Sequence, residues 1–245
     1  SVTVSPSTKT LASINDTVTL AATVKDASGS VMSGATVTWS SSASGVATVS
    51  SAGLVTAVTN GTATITATSG SVNGTAAVTV TQVASSVTLS PTSVAFVSIG
   101  DTATLAATVK DAGGATMSGA TVTWSSTNAA VATVSSAGLV TSIATGSVTI
   151  TATSGTVSKS APVTVTQVAA TLEVSPTSLA FSTVGDTASL TATVKDAGGT
   201  VMTGTAVTWS SSNNSVATVS SAGLVTSVAD GNGTITGTSG SVTGT

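Results

Sequence analysis

The sequence predicts an all-β chain built as three tandem antiparallel sandwiches, and three observations predict it. Landmark residues recur at one fixed step, aliphatic side chains alternate with hydroxyls at period two, and Gly-, Asn- and Ser-rich turns separate the alternating runs. Trp39, Trp124 and Trp209 are spaced 85 residues apart, and the same step relates Pro6, Pro91 and Pro176; Asp16, Asp101 and Asp186; Lys25, Lys110 and Lys195; Met32, Met117 and Met202; and Gly53, Gly138 and Gly223. A unit of this length exceeds the roughly 20–50 residues of a solenoid repeat and matches a small independent domain.

The alternation identifies the strands. From Asp16 onward, Val18, Leu20, Ala22 and Val24 alternate with Thr17, Thr19, Ala21 and Thr23, which puts the aliphatic groups on one face of an extended chain. Segments holding Val37 and Trp39, then Ala63, Ile65 and Ala67, then Val78 and Val80 repeat that pattern with Thr at most outward positions. The turns between them are Asp26-Ala27-Ser28-Gly29, Ser51-Ala52-Gly53, Asn60-Gly61 and Ser69-Gly70, residue types that tolerate tight or positive-φ backbone. Strands of about five to eight residues at this spacing give roughly seven per unit, the pattern of a two-layer sandwich.

The repeat places the units at residues 1–82, 83–167 and 168–245. After Gln82 the next strand begins near Val87, so the connections leave little slack and neighbours are expected to stack end to end. The third unit runs to Thr245, which corresponds to Thr75 and Ser160, and so lacks a counterpart of the Ala76–Gln82 segment. The expectation is a segment of a longer repeat array; the alternative is that another molecule supplies the strand.

Composition removes whole classes of chemistry. There is no Cys, His, Arg or Tyr, and five Lys stand against eight acids for a net charge of −3, with 5% of residues charged where ordinary domains have about a quarter. The chain has 43 Ser and 53 Thr, so hydroxyls rather than ions make it polar. Without arginine or a basic stripe no nucleic acid is expected as partner. Thiolate and imidazole metal sites are excluded, and no cofactor is expected. Thr or Ser interrupts every apolar run, so no membrane-spanning helix is expected. With 40% hydrophobic residues the chain should nevertheless fold.

Candidate sites were weighed against packing and turn geometry. Trp39, Trp124 and Trp209 read as structural core, filling an interior otherwise built of Val, Ala and Leu, in preference to a sugar-stacking platform. Gly53, Gly138 and Gly223 read as structural turns. Asp16, Asp101 and Asp186 precede strands, and without an Asp-x-Asp pair they suit turns better than calcium. The pairs Lys25-Asp26, Lys110-Asp111 and Lys195-Asp196 open hairpin turns and read as solvated. Serine is plentiful, but no histidine can act as its base and no Gly-x-Ser-x-Gly elbow is present, so no catalytic residue is expected. Asn15, Asn60, Asn73, Asn213 and Asn232 each start an Asn-x-Ser/Thr triplet and are candidate glycosylation sites. The Thr-rich surface also admits a flat array binding ice or carbohydrate, although Thr covers all outward strands instead of one face.

Three ordered motifs carry a resemblance. VTWSS at Trp39, VATVSSAGLVT at Gly53 and GTATITATSG at Gly61 are present in all three copies with small changes. Together they resemble the bacterial immunoglobulin-like domain, group 2, over nearly the whole chain. The resemblance implies an all-β fold of three tandem immunoglobulin-like antiparallel β-sandwiches, the third lacking its last strand, of the kind found in stalks of bacterial surface proteins, in intimin- and invasin-like adhesins and in some phage virion proteins. It implies no catalytic or ligand residues, because that family is a scaffold without a shared site.

The function expected is a structural, non-catalytic rod in an extracellular, cell-surface protein, stalk or filament. The alternative is a phage virion decoration or an adhesin module binding cell-surface glycans. Units one and two have no net charge and unit three carries −3, so little repulsion keeps copies apart; self-association or neighbouring repeats of the same protein are the expected partners, with a cell-surface glycan as a further possibility.

Overall fold

The computed structural model describes residues 1–245 and is built from short strands without helices. It divides into two compact units, one of Ser1–Ser90, Ala106–Thr123 and Ala152–Lys159 and the other of Pro91–Leu105, Trp124–Thr151 and Ser160–Thr245. The first repeat lies wholly in the first of these and the third repeat in the second.

The first repeat contains β1 (Val2–Ser5), β2 (Thr8–Leu11), β3 (Thr17–Thr19), β4 (Ala21–Val24), β5 (Thr38–Ser41), β6 (Ala47–Val49), β7 (Leu54–Ala57), β8 (Gly61–Ser69) and β9 (Val72–Val80). One layer has the order β2-β9-β8-β5, and the other is made by the pair β1-β4 and the sheet β3-β7-β6. The β8–β9 hairpin is the longest ladder, running from Gly61↔Val80 to Ser69↔Val72, and Gly70 turns it at φ 60°. Strand β2 adds to the edge of β9 in parallel, from Thr8↔Ala77 to Leu11↔Val80.

Nine strands stand where the alternation suggested about seven, because two runs break. The run from Val2 turns at Pro6, which has no N–H to give a ladder, so β1 joins one layer and β2 the other. The run from Thr17 breaks at Leu20, whose N–H leaves the ladder to donate to the Gly53 carbonyl at 2.9 Å. Register still follows the alternation: Leu20, Val55, Ile65, Val78 and Val80 are buried from both layers, with Ala47, Ala67 and Ala76 filling the narrow places between them.

The second and third repeats reuse these pairings. In the first unit Ser86–Ser90 pairs with Ala106–Lys110 as β1 pairs with β4. In the second unit Val94–Phe96 runs parallel to Val163–Val165 as β2 does to β9, and Thr102–Thr104, Leu139–Ser142 and Ala132–Val134 form the three-stranded sheet. The third repeat pairs Ala169–Ser175 with Thr191–Asp196, and Ile235–Ser239 with Thr208–Ser211 and Val242–Gly244. Its counterpart of β2 forms no strand. A groove of about 650 Å³ lies there, lined by Leu179, Phe181, Leu190, Val225 and Ile235 among others. Ala217 is half-buried, whereas its counterparts Ala47 and Ala132 are fully buried.

Two predictions follow from this packing. The amides of Leu190 and Val225 in the third repeat should exchange with solvent faster than those of Leu20 and Val55 in the first, measured by hydrogen exchange under native conditions; equal protection would contradict an open third core. Gly53→Ala should destabilise the first repeat well beyond Gly29→Ala. Both glycines have φ near 80°, which costs a side chain about 1–2 kcal/mol, but a Cβ on Gly53 would also meet the Leu20 carbonyl oxygen at 2.5 Å, whereas Gly29 has open space. Exchange of the Ile65 amide reads the difference.

Candidate functional site

The tryptophans and glycines singled out in the sequence are brought together. Trp39 is half-buried on β5 against the first core, and a Cβ on Gly53 would lie 3.0 Å from its Cζ2. Trp124 with Gly138 and Trp209 with Gly223 repeat the contact, each glycine at φ near 80°. The indole thus comes so near the backbone turn that the turn admits no side chain. The groove of the third repeat is lined by none of these rings.

Asn15, Asn60, Asn73, Asn213 and Asn232 are all exposed. Asn15 has a left-handed backbone at φ 67° and Asn213 accepts the Ser215 N–H in its own turn. Asn60 is engaged: its Nδ2 donates to Gln82 Oε1 at 3.2 Å and its Oδ1 accepts the Gln82 backbone N–H at 2.8 Å. They form no cluster.

A different set of residues converges where one repeat meets the next. Asp111, expected to be solvated, is 3% exposed. Its Oδ2 accepts the backbone N–H of Ile14 at 2.9 Å and Nε2 of Gln82 at 2.8 Å, both from the preceding repeat and its connection. Its Oδ1 accepts the Ala115 N–H at 2.8 Å within its own turn. Asp196 repeats the arrangement one step later, 2% exposed, with the Ile99 N–H and Gln167 Nε2 each donating to Oδ2 at 3.0 Å and the Thr200 N–H to Oδ1 at 2.8 Å. Both aspartates are buried because the neighbouring repeat, and not only their own turn, covers the carboxylate. Asp26, in the same place in the first repeat, is exposed and bonded only to Ser28 and Ser30 of its own turn.

The loop that offers the Ile14 N–H is itself held by a repeated acid. Asp16 Oδ2 accepts the N–H groups of Ala12 and Ser13 at 3.1 and 2.9 Å, and Asp101 and Asp186 do the same for Ser98 and Thr183. These aspartates therefore shape the turn, and no group of three or more acids that could hold a metal ion is present. At the second junction Gly198 N–H also donates to Ser98 Oγ at 3.2 Å.

Burial alone would raise the pKa of Asp111, but hydrogen bonds from Gln82, Ile14, Ala115 and Gly113 outweigh it and hold the carboxyl below its ordinary 3.8. Asp196 is lowered in the same way, with Gln167, Ile99, Thr200 and Gly198 outweighing the burial. A depressed carboxyl stabilises the folded contact when ionised, so its contribution is complete above the ordinary Asp range and is lost as pH falls through the lower, folded value. The junctions should therefore be insensitive to pH near neutrality and loosen only in strong acid.

Asp111→Asn should loosen the first junction at neutral pH, where the wild-type carboxyl is ionised. Both oxygens accept N–H donors, so an amide turns a donor toward a donor whichever way it points, and charge-assisted bonds of this kind contribute about 1.5–3 kcal/mol. The expected outcome is faster exchange of the Ile14 amide with the Ile99 amide unchanged; an unaltered Ile14 rate would refute the contact's importance.

Comparison with known proteins identifies the family. The family model for the bacterial Ig-like domain (group 2) matches residues 1–80, 83–165 and 168–245. No curated protein matches the chain. Among solved structures, domains 4 and 5 of the S-layer protein SbsC are 27% identical, covering 68% of this chain and 98% of that one with a TM-score of 0.34. The Escherichia coli adhesin FdeC is 22% identical, covering 98% of this chain and 91% of that one with a TM-score of 0.41. Invasin, a bacterial integrin-binding protein, is 20% identical, covering 99% and 57% with a TM-score of 0.48. The chain spans 46% of the SbsC structure that comprises domains 4–9. With all three repeats matched in order, the chain belongs to the bacterial Ig-like domain (group 2) family.

Proposed function

We propose that the chain is a non-catalytic spacer of a bacterial surface protein, three immunoglobulin-like modules at 1–82, 83–167 and 168–245 whose junctions are held so that each module carries the next. The observation behind this reading is the repetition of one junction: the same donors, an Ile backbone N–H and a Gln side-chain amide, meet the same buried carboxylate at Asp111 and at Asp196. A linker that only tethered two domains would have no reason to bury a charge twice in the same way, since an unpaired buried carboxylate is costly. Family membership and the hydroxyl-rich, nearly uncharged surface support a place outside the cell, with neighbouring repeats as the immediate partners. Packing, turns and junctions account for the tryptophans and for the repeated aspartates, which supports the non-catalytic reading.

The useful product on this reading is reach. The nine-residue strands β8 and β9 each span roughly 30 Å, so three modules joined end to end should extend on the order of 100 Å. Small-angle scattering tests this directly. A rod of that length has a radius of gyration of roughly 29 Å, whereas a single compact domain of this many residues has about 18 Å. A value near the smaller figure would overturn the spacer reading. Asp111→Asn combined with Asp196→Asn should leave the modules folded while broadening the distribution of distances between probes on the first and third.

A further inference from the structure

We infer that the residue two places after the junction aspartate decides whether a repeat locks to the one before it, and that Ser28 makes the first repeat one that does not lock. This rests on the reading of the junction as a lock and adds what controls it. The turn reads Asp-Ala-Gly-Gly at 111–114 and 196–199 but Asp-Ala-Ser-Gly at 26–29. The second glycine of each turn, Gly114 or Gly199, has φ near 82°, as Gly29 has in the first repeat, so that position needs glycine for its backbone. Gly113 and Gly198 have no such φ, and the turn itself would accept a side chain there. What crowds one is the neighbour. A Cβ on Gly113 would lie 2.8 Å from the Ile14 carbonyl oxygen and 3.4 Å from Ser13 Cβ; on Gly198 it would lie 3.0 Å from the Ile99 carbonyl oxygen and 3.4 Å from Ser98 Cβ. These glycines are spaces left for the preceding repeat.

Ser28 fills that space in the first repeat. Its Oγ donates to Asp26 Oδ1 at 2.7 Å, and its N–H and that of Ser30 fall on the same oxygen, each at 2.9 Å. The carboxylate is in the position that Asp111 and Asp196 use, but the side chain beside it stands where a preceding repeat's carbonyl would have to come. A preceding repeat that docked on this turn as Ser13 and Ile14 dock on Gly113 would have to displace Ser28.

The test copies the first repeat's turn into a working junction of the full chain. Gly113→Ser should speed exchange of the Ile14 amide by at least about tenfold. Leu105, whose N–H bonds to the Gly138 carbonyl inside the second repeat, should be unchanged and so show that repeat folded. Ile99 at the other junction should also be unchanged, and Gly198→Ser should reverse the pattern. Gly113→Ala should act as Gly113→Ser does, because bulk and not the hydroxyl is the obstacle. Ala112→Ser, which adds the same hydroxyl at an exposed neighbour, should have no effect. An Ile14 rate unmoved by Gly113→Ser but raised by Asp111→Asn would sink the inference about the glycine alone. A rate unmoved by both would remove the lock on which it rests.

Discussion

A carboxylate withdrawn from water must be given donors, and in this chain that requirement ties one module to the next. Asp111 and Asp196 belong by sequence to the repeat that follows the junction, yet two of their donors, Ile14 N–H with Gln82 Nε2 and Ile99 N–H with Gln167 Nε2, come from the repeat before it. Neither side can satisfy the contact alone. Separation would leave a backbone N–H, a glutamine amide and the carboxylate to be re-solvated together. Gln82 extends the unit into the first repeat through its two bonds to Asn60, which couples the connecting segment to the turn between β7 and β8.

Each module meets a similar requirement internally, where the constraint is steric. The half-buried indole on β5 approaches the turn at Gly53 so closely that the turn can carry no Cβ, and the same turn supplies the carbonyl that takes the Leu20 N–H where the strand breaks. One glycine therefore serves the Trp39 contact, the strand break and the turn. Glycine appears at both kinds of place, inside the module and at its end, for the same physical reason: a backbone must come nearer than a methyl group permits.

The 85-residue step and the period-two alternation made the sandwich legible, because burial inside one repeat is written in that repeat's own residues. Val18, Leu20, Ala22 and Val24 announce their face without reference to anything else. The junction was not legible for the opposite reason. Asp111 follows a lysine and opens a Gly-rich turn, the signature of a solvated hairpin, and the groups that bury it lie in residues 14 and 82, in a different repeat. Gly113 and Gly114 look alike in sequence, although one serves a left-handed backbone and the other a neighbour's carbonyl. The signal available was comparative: the repeats agree at the aspartate, while the first carries serine where the other two carry glycine.

The scarcity of charge gives these contacts their weight. The ion pair between Lys195 and Glu173 is bidentate at 2.9 Å but solvent-exposed, and pairs of that kind contribute about 0–1 kcal/mol. With 5% charged residues and a surface of interchangeable hydroxyls, little else distinguishes one patch of a module from another. Threonine faces can slide past one another at little cost, since each lost hydroxyl contact is replaced by an equivalent one or by water. A buried carboxylate cannot slide, because any register other than the matched one leaves it without donors. Specificity of stacking is therefore concentrated in one acid per junction, and a change as small as glycine to serine beside that acid is enough to distinguish a face that stacks from one that does not.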